Sequence, residues 1–149
     1  MNGANIRPPR INHVAMSVPS ALLEASGRAE LTAFYGDVFG WNELPTETVE
    51  GKKLVFGVHT IEQFVFLIAD DPPMTCPRLD HFGLSVETEA ELDAVLAKAK
   101  DWHTRDTRVD IIEKKCDDHG MLAITSIYVR YLLPMMVEIQ WWDFRKPSA

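Results

Sequence analysis

The chain has 149 residues, 46% of them hydrophobic and 25% charged, with a formal net charge of −7. That is the composition of one soluble globular unit with a real core. The acidic balance excludes the basic surface needed by a nucleic-acid or anionic-membrane partner. The longest apolar run, residues 64–69, is far too short to cross a bilayer. The N-terminus lacks the apolar centre of a signal peptide, and Cys76 and Cys116 form no CxxC. Two reduced thiols in a cytoplasmic protein are therefore expected.

Residues 1–9 read as a flexible arm ending in Pro8 and Pro9. Residues 10–18 follow as the first strand. In INHVAMSV, Val14, Met16 and Val18 take one face, and His13, Ala15 and Ser17 the other. Pro19 ends it, and Ser20 suits a helix cap. Residues 21–30 favour helix but are weakened by Gly27. Leu31, Phe34, Tyr35 and Val38 then form an amphipathic face, and Gly40 suits the left-handed residue beyond a helix end. Three strands are expected next: 41–49, interrupted by Pro45, and a hairpin of 53–59 and 63–69.

The run DDPPMTCP, with three of the nine prolines, marks a linker at 70–78. The order then repeats. In LDHFGLSV, residues 79–86, Phe82, Leu84 and Val86 face one way, and His81, Gly83 and Ser85 the other. Thr88 and Glu91 make a capping box, followed by Leu92, Val95, Leu96, Ala99 and Trp102 at helical spacing. Strands are expected at 107–115, 123–131 and 135–142. The chain thus reads as βαβββ twice, with module 1 at about 10–69 and module 2 at about 79–143. The predicted fold is α+β, a single domain over 10–149. Its two modules form a curved eight-stranded mixed sheet, a cup with the helices outside.

Glu138 lies in the apolar stretch MMVEIQW and is costly to bury without a partner. Met136, Glu138 and Gln140 share a face. If that face lines the cup, Glu138 joins His13 and His81. Two imidazoles and a carboxylate from three strands make a facial triad with up to three open metal positions, the usual geometry for non-haem Fe(II) or Mn(II). A competing assignment pairs Glu138 with Arg130 across the last hairpin and needs no metal.

These stretches resemble the vicinal oxygen chelate superfamily, which includes glyoxalase, bleomycin-resistance and extradiol dioxygenase proteins. The resemblance is carried by the two strand–His openings, by FYGDVFGW at 34–41, and by Tyr128-Val129-Arg130 with Val137-Glu138-Ile139. It implies paired βαβββ modules with metal ligands on their first and last strands, where His13, His81 and Glu138 fall. Glyoxalase I uses a further acid or amide on the last strand of the first module. Phe66 stands there, and Glu62 is roughly 13 Å away along the strand, so that chemistry is disfavoured. His119 precedes Tyr128 by nine residues and Tyr128 precedes Glu138 by ten, the spacing of acid–base His, substrate-binding Tyr and ligand Glu in extradiol enzymes. If the last hairpin turns at 132–134, Tyr128 lies opposite Glu138.

The resemblance therefore implies a catechol-type ring-cleaving dioxygenase. It would hold a divalent metal, Fe(II) favoured over Mn(II) or Zn(II), and act on a small aromatic or oxygen-chelating substrate. His119 and Tyr128 would be its catalytic residues. Two alternatives stay open: a lyase, isomerase or thiol transferase on the same triad, and a metal-free binding protein of the bleomycin-resistance kind. The apolar turn Tyr131-Leu132-Leu133-Pro134 replaces the family's Asp-Pro-x-Gly and suggests a covered surface, such as a homodimer contact. His59 is left unassigned, and Trp141 and Trp142 are expected to pack at the core and sheet edge.

Overall fold

The computed structural model describes residues 7–145, so most of the arm expected at residues 1–9 lies outside the described residues. Strict alternation makes β1 at His13–Val18 and β5 at His81–Val86. The first module continues with a 3-10 turn at Ser20–Leu23, α1 at Ala25–Phe39, β2 at Asn42–Glu43, β3 at Lys53–Gly57 and β4 at Phe64–Ala69. The second continues with α2 at Glu89–Arg105, β6 at Asp110–Asp118, β7 at Leu122–Arg130 and β8 at Met136–Phe144. The eight strands divide into two ladders of the same order, β1-β4-β3-β2 and β5-β8-β7-β6. In each, the His-bearing strand lies parallel to the last strand of its module, and the other pairs are antiparallel. The α+β fold of two βαβββ modules is as the sequence predicts.

Local departures have local causes. Gly27 does not weaken α1. A Cβ there would lie 2.6 Å from the Ala21 carbonyl oxygen, so glycine lets the helix pass close against the preceding 3-10 turn. The strand expected at 41–49 shrinks to β2, and Val49 makes only an isolated bridge to Lys53. The strand expected at 107–115 shifts to β6 because the Asp106 side chain accepts from the Arg108 backbone N–H and spends residues 106–109 on a turn. The polar end of β6, EKKCDD, suits the edge position it takes. The Thr88–Glu91 capping box forms as expected.

The two modules share one core on the helix side. It contains Met16, Val18, Leu54 and Leu67 of the first module and Val129, Val137 and Ile139 of the second. Phe34 and Tyr35 of α1 meet Trp102 of α2 and Tyr131 beyond β7; the Phe34 and Trp102 rings pack edge to face at 5.5 Å. Asp37 on α1 accepts from the Trp102 indole at 2.7 Å. The Tyr35 hydroxyl donates to the Tyr131 carbonyl at 3.0 Å and accepts from the Tyr131 N–H at 3.2 Å. Tyr131 in turn presents its own hydroxyl to Glu30 and Asp106, with Arg108 beside it. The apolar turn is thus covered by this chain itself: Leu133 is buried in the shared core, and Leu132 takes the left-handed φ of 61° that the tight reversal requires.

Tyr35→Phe leaves the ring packing intact but deprives a buried N–H and carbonyl of their partner. It is expected to cost about 1–3 kcal/mol, read as a shifted midpoint of urea unfolding at unchanged m-value. An unchanged midpoint would show that the hydroxyl does not join the modules.

Candidate metal centre

The register of the second ladder builds a site around Glu138. Gly83 of β5 stands beside Glu138 on one side, and Tyr128 of β7 on the other. Glu138 is only 6% exposed. Its carboxylate lies over β5 because Gly83 has no side chain; a Cβ there would come within 3.3 Å of Oε2. His81, one pleat before Gly83, brings Nε2 to 3.4 Å from the same Oε2. The His81 and Tyr128 rings pack edge to face with centroids 5.0 Å apart. The structure therefore brings together His81, Glu138 and Tyr128, with Tyr128 opposite Glu138 as the hairpin argument requires.

The hydrogen bonds of the imidazoles fix what their free nitrogens can do. His81 Nδ1 lies 2.7 Å from the Leu79 carbonyl, which can only accept, so Nδ1 carries the hydrogen. In the neutral ring Nε2 then holds a lone pair and faces a carboxylate oxygen. Two acceptors that close call for a cation between them or a proton on the ring. Among the described residues no arginine or lysine supplies the charge. Arg130 is held by Asp110 at 3.0 Å and donates to the Pro134 carbonyl at 3.0 Å, while Arg78 takes the other side of Asp110. The pairing of Arg130 with Glu138 is thereby overturned: Arg130 lies opposite Asp110 on β6, one pleat from Tyr128.

Burial first, then the hydrogen bond and charge of Glu138, push the Tyr128 phenol up to about 12. It remains a proton donor across the neutral range. Lowest of its causes, the Asp117 carboxylate on the edge strand acts in the same direction.

His13 occupies the matching place in the first ladder but not the same site. It is exposed, its Nδ1 lies 2.8 Å from Asn12 Oδ1, and its ring stacks on Phe64 with centroids 4.8 Å apart. With Oδ1 as acceptor, its Nε2 is likewise free. The position equivalent to Glu138 is Phe66, flanked by Ala15 as Glu138 is by Gly83. Among the described residues no group of three His, Cys, Asp or Glu side chains converges, so His13 does not meet His81 and Glu138 within one chain.

His119 closes the exposed β6–β7 turn, where its N–H donates to the Leu122 carbonyl at 2.8 Å. Tyr128 is six residues farther along β7 than Leu122, roughly 20 Å, so His119 is not brought to the Tyr128–Glu138 pair. His59 lies before β4, in a hollow of about 340 Å³ shared with Arg10, Asn12 and Glu62. His103 bonds the Val109 carbonyl at 2.7 Å and supports the turn into β6. A second hollow, of about 570 Å³, runs between α2 and β6 and is spanned by the Lys100–Glu113 ion pair. Neither hollow contains His81, Tyr128 or Glu138.

Three groups escaped sequence reasoning: the Leu79 carbonyl, the Asn12 amide and the absent side chain at Gly83. The Asn-His pair was a readable signal for one of them. The Leu79 contact was not, because a main-chain acceptor leaves no mark in residue type.

No protein-family model and no curated protein matches the sequence. Solved structures do. A lactoylglutathione lyase from Agrobacterium tumefaciens superposes with a TM-score of 0.61 at 19% identity, over 90% of this chain and 94% of that one. The fosfomycin resistance protein FosX from Listeria monocytogenes, complexed with Mn(II) and sulfate, gives 0.63 at 15% identity, over 91% of each chain. FosX from Mesorhizobium loti gives 0.59 at 12% identity, over 91% of this chain and 93% of that one. The chain thus has the fold of the vicinal oxygen chelate superfamily. Among the described residues, no helix is long and apolar enough to cross a membrane.

All three tyrosines, Tyr35, Tyr128 and Tyr131, are held above the ordinary 10.0, so the folded chain binds those protons more tightly than the unfolded one. The stability this represents is complete below pH 10 and is lost as pH rises through the folded values. An ultraviolet difference titration should show no tyrosine ionising at its ordinary value in the native protein. A tyrosine titrating normally there, and absent from Tyr128→Phe, would contradict the closed contact with Glu138.

Proposed function

We propose that the protein is a divalent-metal enzyme acting on a small substrate that chelates through neighbouring oxygens, and that its metal centre is shared between two copies. His81 and Glu138 of one copy and His13 of a second would hold the ion. The observation that carries this reading is the pair of acceptors, His81 Nε2 and the buried Glu138 Oε2, 3.4 Å apart with no arginine or lysine beside them among the described residues. The donor set fits: neutral imidazole and carboxylate together suit Mn(II), Fe(II) or Zn(II). Homodimerisation is supported by His13, whose Nε2 is free and whose face is open in the single chain, and by the closed point symmetry of most such assemblies.

Bound there, a divalent ion would polarise a substrate oxygen and favour negative charge on it. The chain's own groups do the rest. The Leu79 carbonyl and the Asn12 amide orient the two imidazoles. Gly83 leaves room for the carboxylate. Tyr128 keeps its proton on the phenol oxygen and can donate it as a hydrogen bond to an oxygen gaining charge.

The finer choice of reaction turns on His119. The dioxygenase reading relies on it as the acid–base group, and its position at the far end of the β6–β7 hairpin leaves the Tyr128–Glu138 pair without a second imidazole from that loop. Addition of an already ionised nucleophile to a chelated substrate, as in a transferase, needs the polarising ion and the Tyr128 donor to the oxygen that gains charge, whereas an elimination, as in a lyase, also needs a base to take the departing proton. The likeness to a lactoylglutathione lyase and to a fosfomycin resistance protein complexed with Mn(II) supports that branch. The preference for Fe(II) rested on oxygen chemistry and goes with it, so Mn(II) is the ion to test first.

Titration of chelator-treated protein with Mn(II) is expected to reach one ion per chain. Glu138→Ala, His81→Ala and His13→Ala should each weaken binding by about 100-fold or more, with native circular dichroism retained. Full-strength binding by Glu138→Ala or His81→Ala would remove that residue from the centre. No binding by the wild type would sink the enzyme reading. In an oxygen electrode, Fe(II)-loaded protein with catechol is expected to consume no oxygen; stoichiometric consumption would restore the dioxygenase.

A further inference from the structure

The face of β8 that carries Glu138 continues past the proposed centre. Gln140, Trp142 and Phe144 follow on that face, and β7 supplies Ser126 and Ile124 opposite Gln140 and Trp142. Adjacent Trp141 packs against the shared core, which fixes the parity and leaves Trp142 outward. Trp142 is 43% and Phe144 72% exposed, with ring centroids 6.0 Å apart. The indole is not loose: its N–H donates to Gln140 Oε1 at 2.9 Å, which turns the ring's apolar surface to solvent. β5 ends at Val86, opposite Trp141, so among the described residues no strand pairs with the last part of β8 on that side. The result is a run of three zones on one strand. Glu138 comes first, a small polar zone of Ser126 and Gln140 second, and an aromatic pair last. Glu138 and Trp142 are roughly 13 Å apart along the strand.

We propose that the substrate is elongated, with a chelating oxygen pair at one end and an apolar tail that runs along β8 onto Trp142 and Phe144. This rests on the metal centre proposed above and adds to it the chemical class of the substrate. A tail of about ten carbons matches the roughly 13 Å between the two ends. The competing occupant of the two rings is a second copy of the chain. The patch is formed by two rings and is rimmed by charge: Arg145 pairs with Asp118 at 2.8 Å and with Asp143 at 3.3 Å.

Hydroxamates offer two neighbouring oxygens to a metal and can carry tails of any length. Acetohydroxamate, hexanohydroxamate and decanohydroxamate are titrated calorimetrically into Mn(II)-loaded protein. Affinity should rise about fourfold for each methylene that reaches the rings, so that decanohydroxamate binds at least about 100-fold tighter than acetohydroxamate. In the double variant Trp142→Ser, Phe144→Ser that ratio should fall at least tenfold, while Trp142→Phe should keep most of it. A flat series in the wild type overturns the tail site. So does an unchanged ratio in the double variant. Loss of self-association by sedimentation, with the ratio unchanged, assigns the rings to a copy–copy contact and overturns it equally. Failure of acetohydroxamate to bind at all overturns the metal centre, and the tail site falls with it; binding of acetohydroxamate with no chain-length effect overturns the tail site alone.

Discussion

The two modules are joined on their helix side, and the Tyr35 hydroxyl is the point where that join is most specific. It satisfies both main-chain groups of Tyr131, and Tyr131 passes the connection on to Glu30, Asp106 and Arg108. Apolar residues of both helices and both ladders fill the space around this contact, including Phe34 of α1, Trp102 of α2 and Ile139 of β8. The opposite faces of the ladders carry Phe64 and Phe66 beside His13 on one module and Tyr128 and Trp142 in line with Glu138 on the other. Those faces hold His13 on one module and His81 with Glu138 on the other. The helix-side packing stabilises the single chain and leaves these opposite faces uncovered by the helices.

On the second module the open face is prepared for charge. A neutral His81 with its hydrogen committed to Leu79 cannot donate to Glu138, and Arg130 is already held by Asp110. Glu138 is left with an imidazole lone pair and a phenol. The phenol can donate only one hydrogen bond, so a cation or a ring proton must complete the balance. The same logic explains Gly83. Its missing side chain lets the carboxylate lie beside His81, and the repeat preserves a small residue there, Ala15, in the module that carries no acid.

Much of this was legible in the residues. Alternation in INHVAMSV and LDHFGLSV set two strands and the side on which each histidine stands. The Thr88–Glu91 box marked the start of α2 to the residue. The polar face of Met136, Glu138 and Gln140 placed the acid beside His81 and opposite Tyr128. What could not be read depended on register and long-range fit. The partner of Arg130 is set by how β6 pairs with β7, and that ladder slips between Ile112 and Lys115. Spacing alone put His119 beside Tyr128, but spacing along a hairpin does not turn a loop back onto the sheet. Adjacent tryptophans give no hint of which one faces the core. The packing of Trp141 against the shared core settles it.

The proposed metal centre draws on two copies of the chain. The most direct test is to mix His13→Ala chains with Glu138→Ala chains, each unable to bind Mn(II) tightly alone, under conditions that exchange subunits. In a shared centre each mixed dimer carries one intact site, and about a quarter of all sites recover tight binding after random exchange. No recovery, in mixtures shown by mass to contain mixed dimers, would contradict the account and confine any metal site to a single chain.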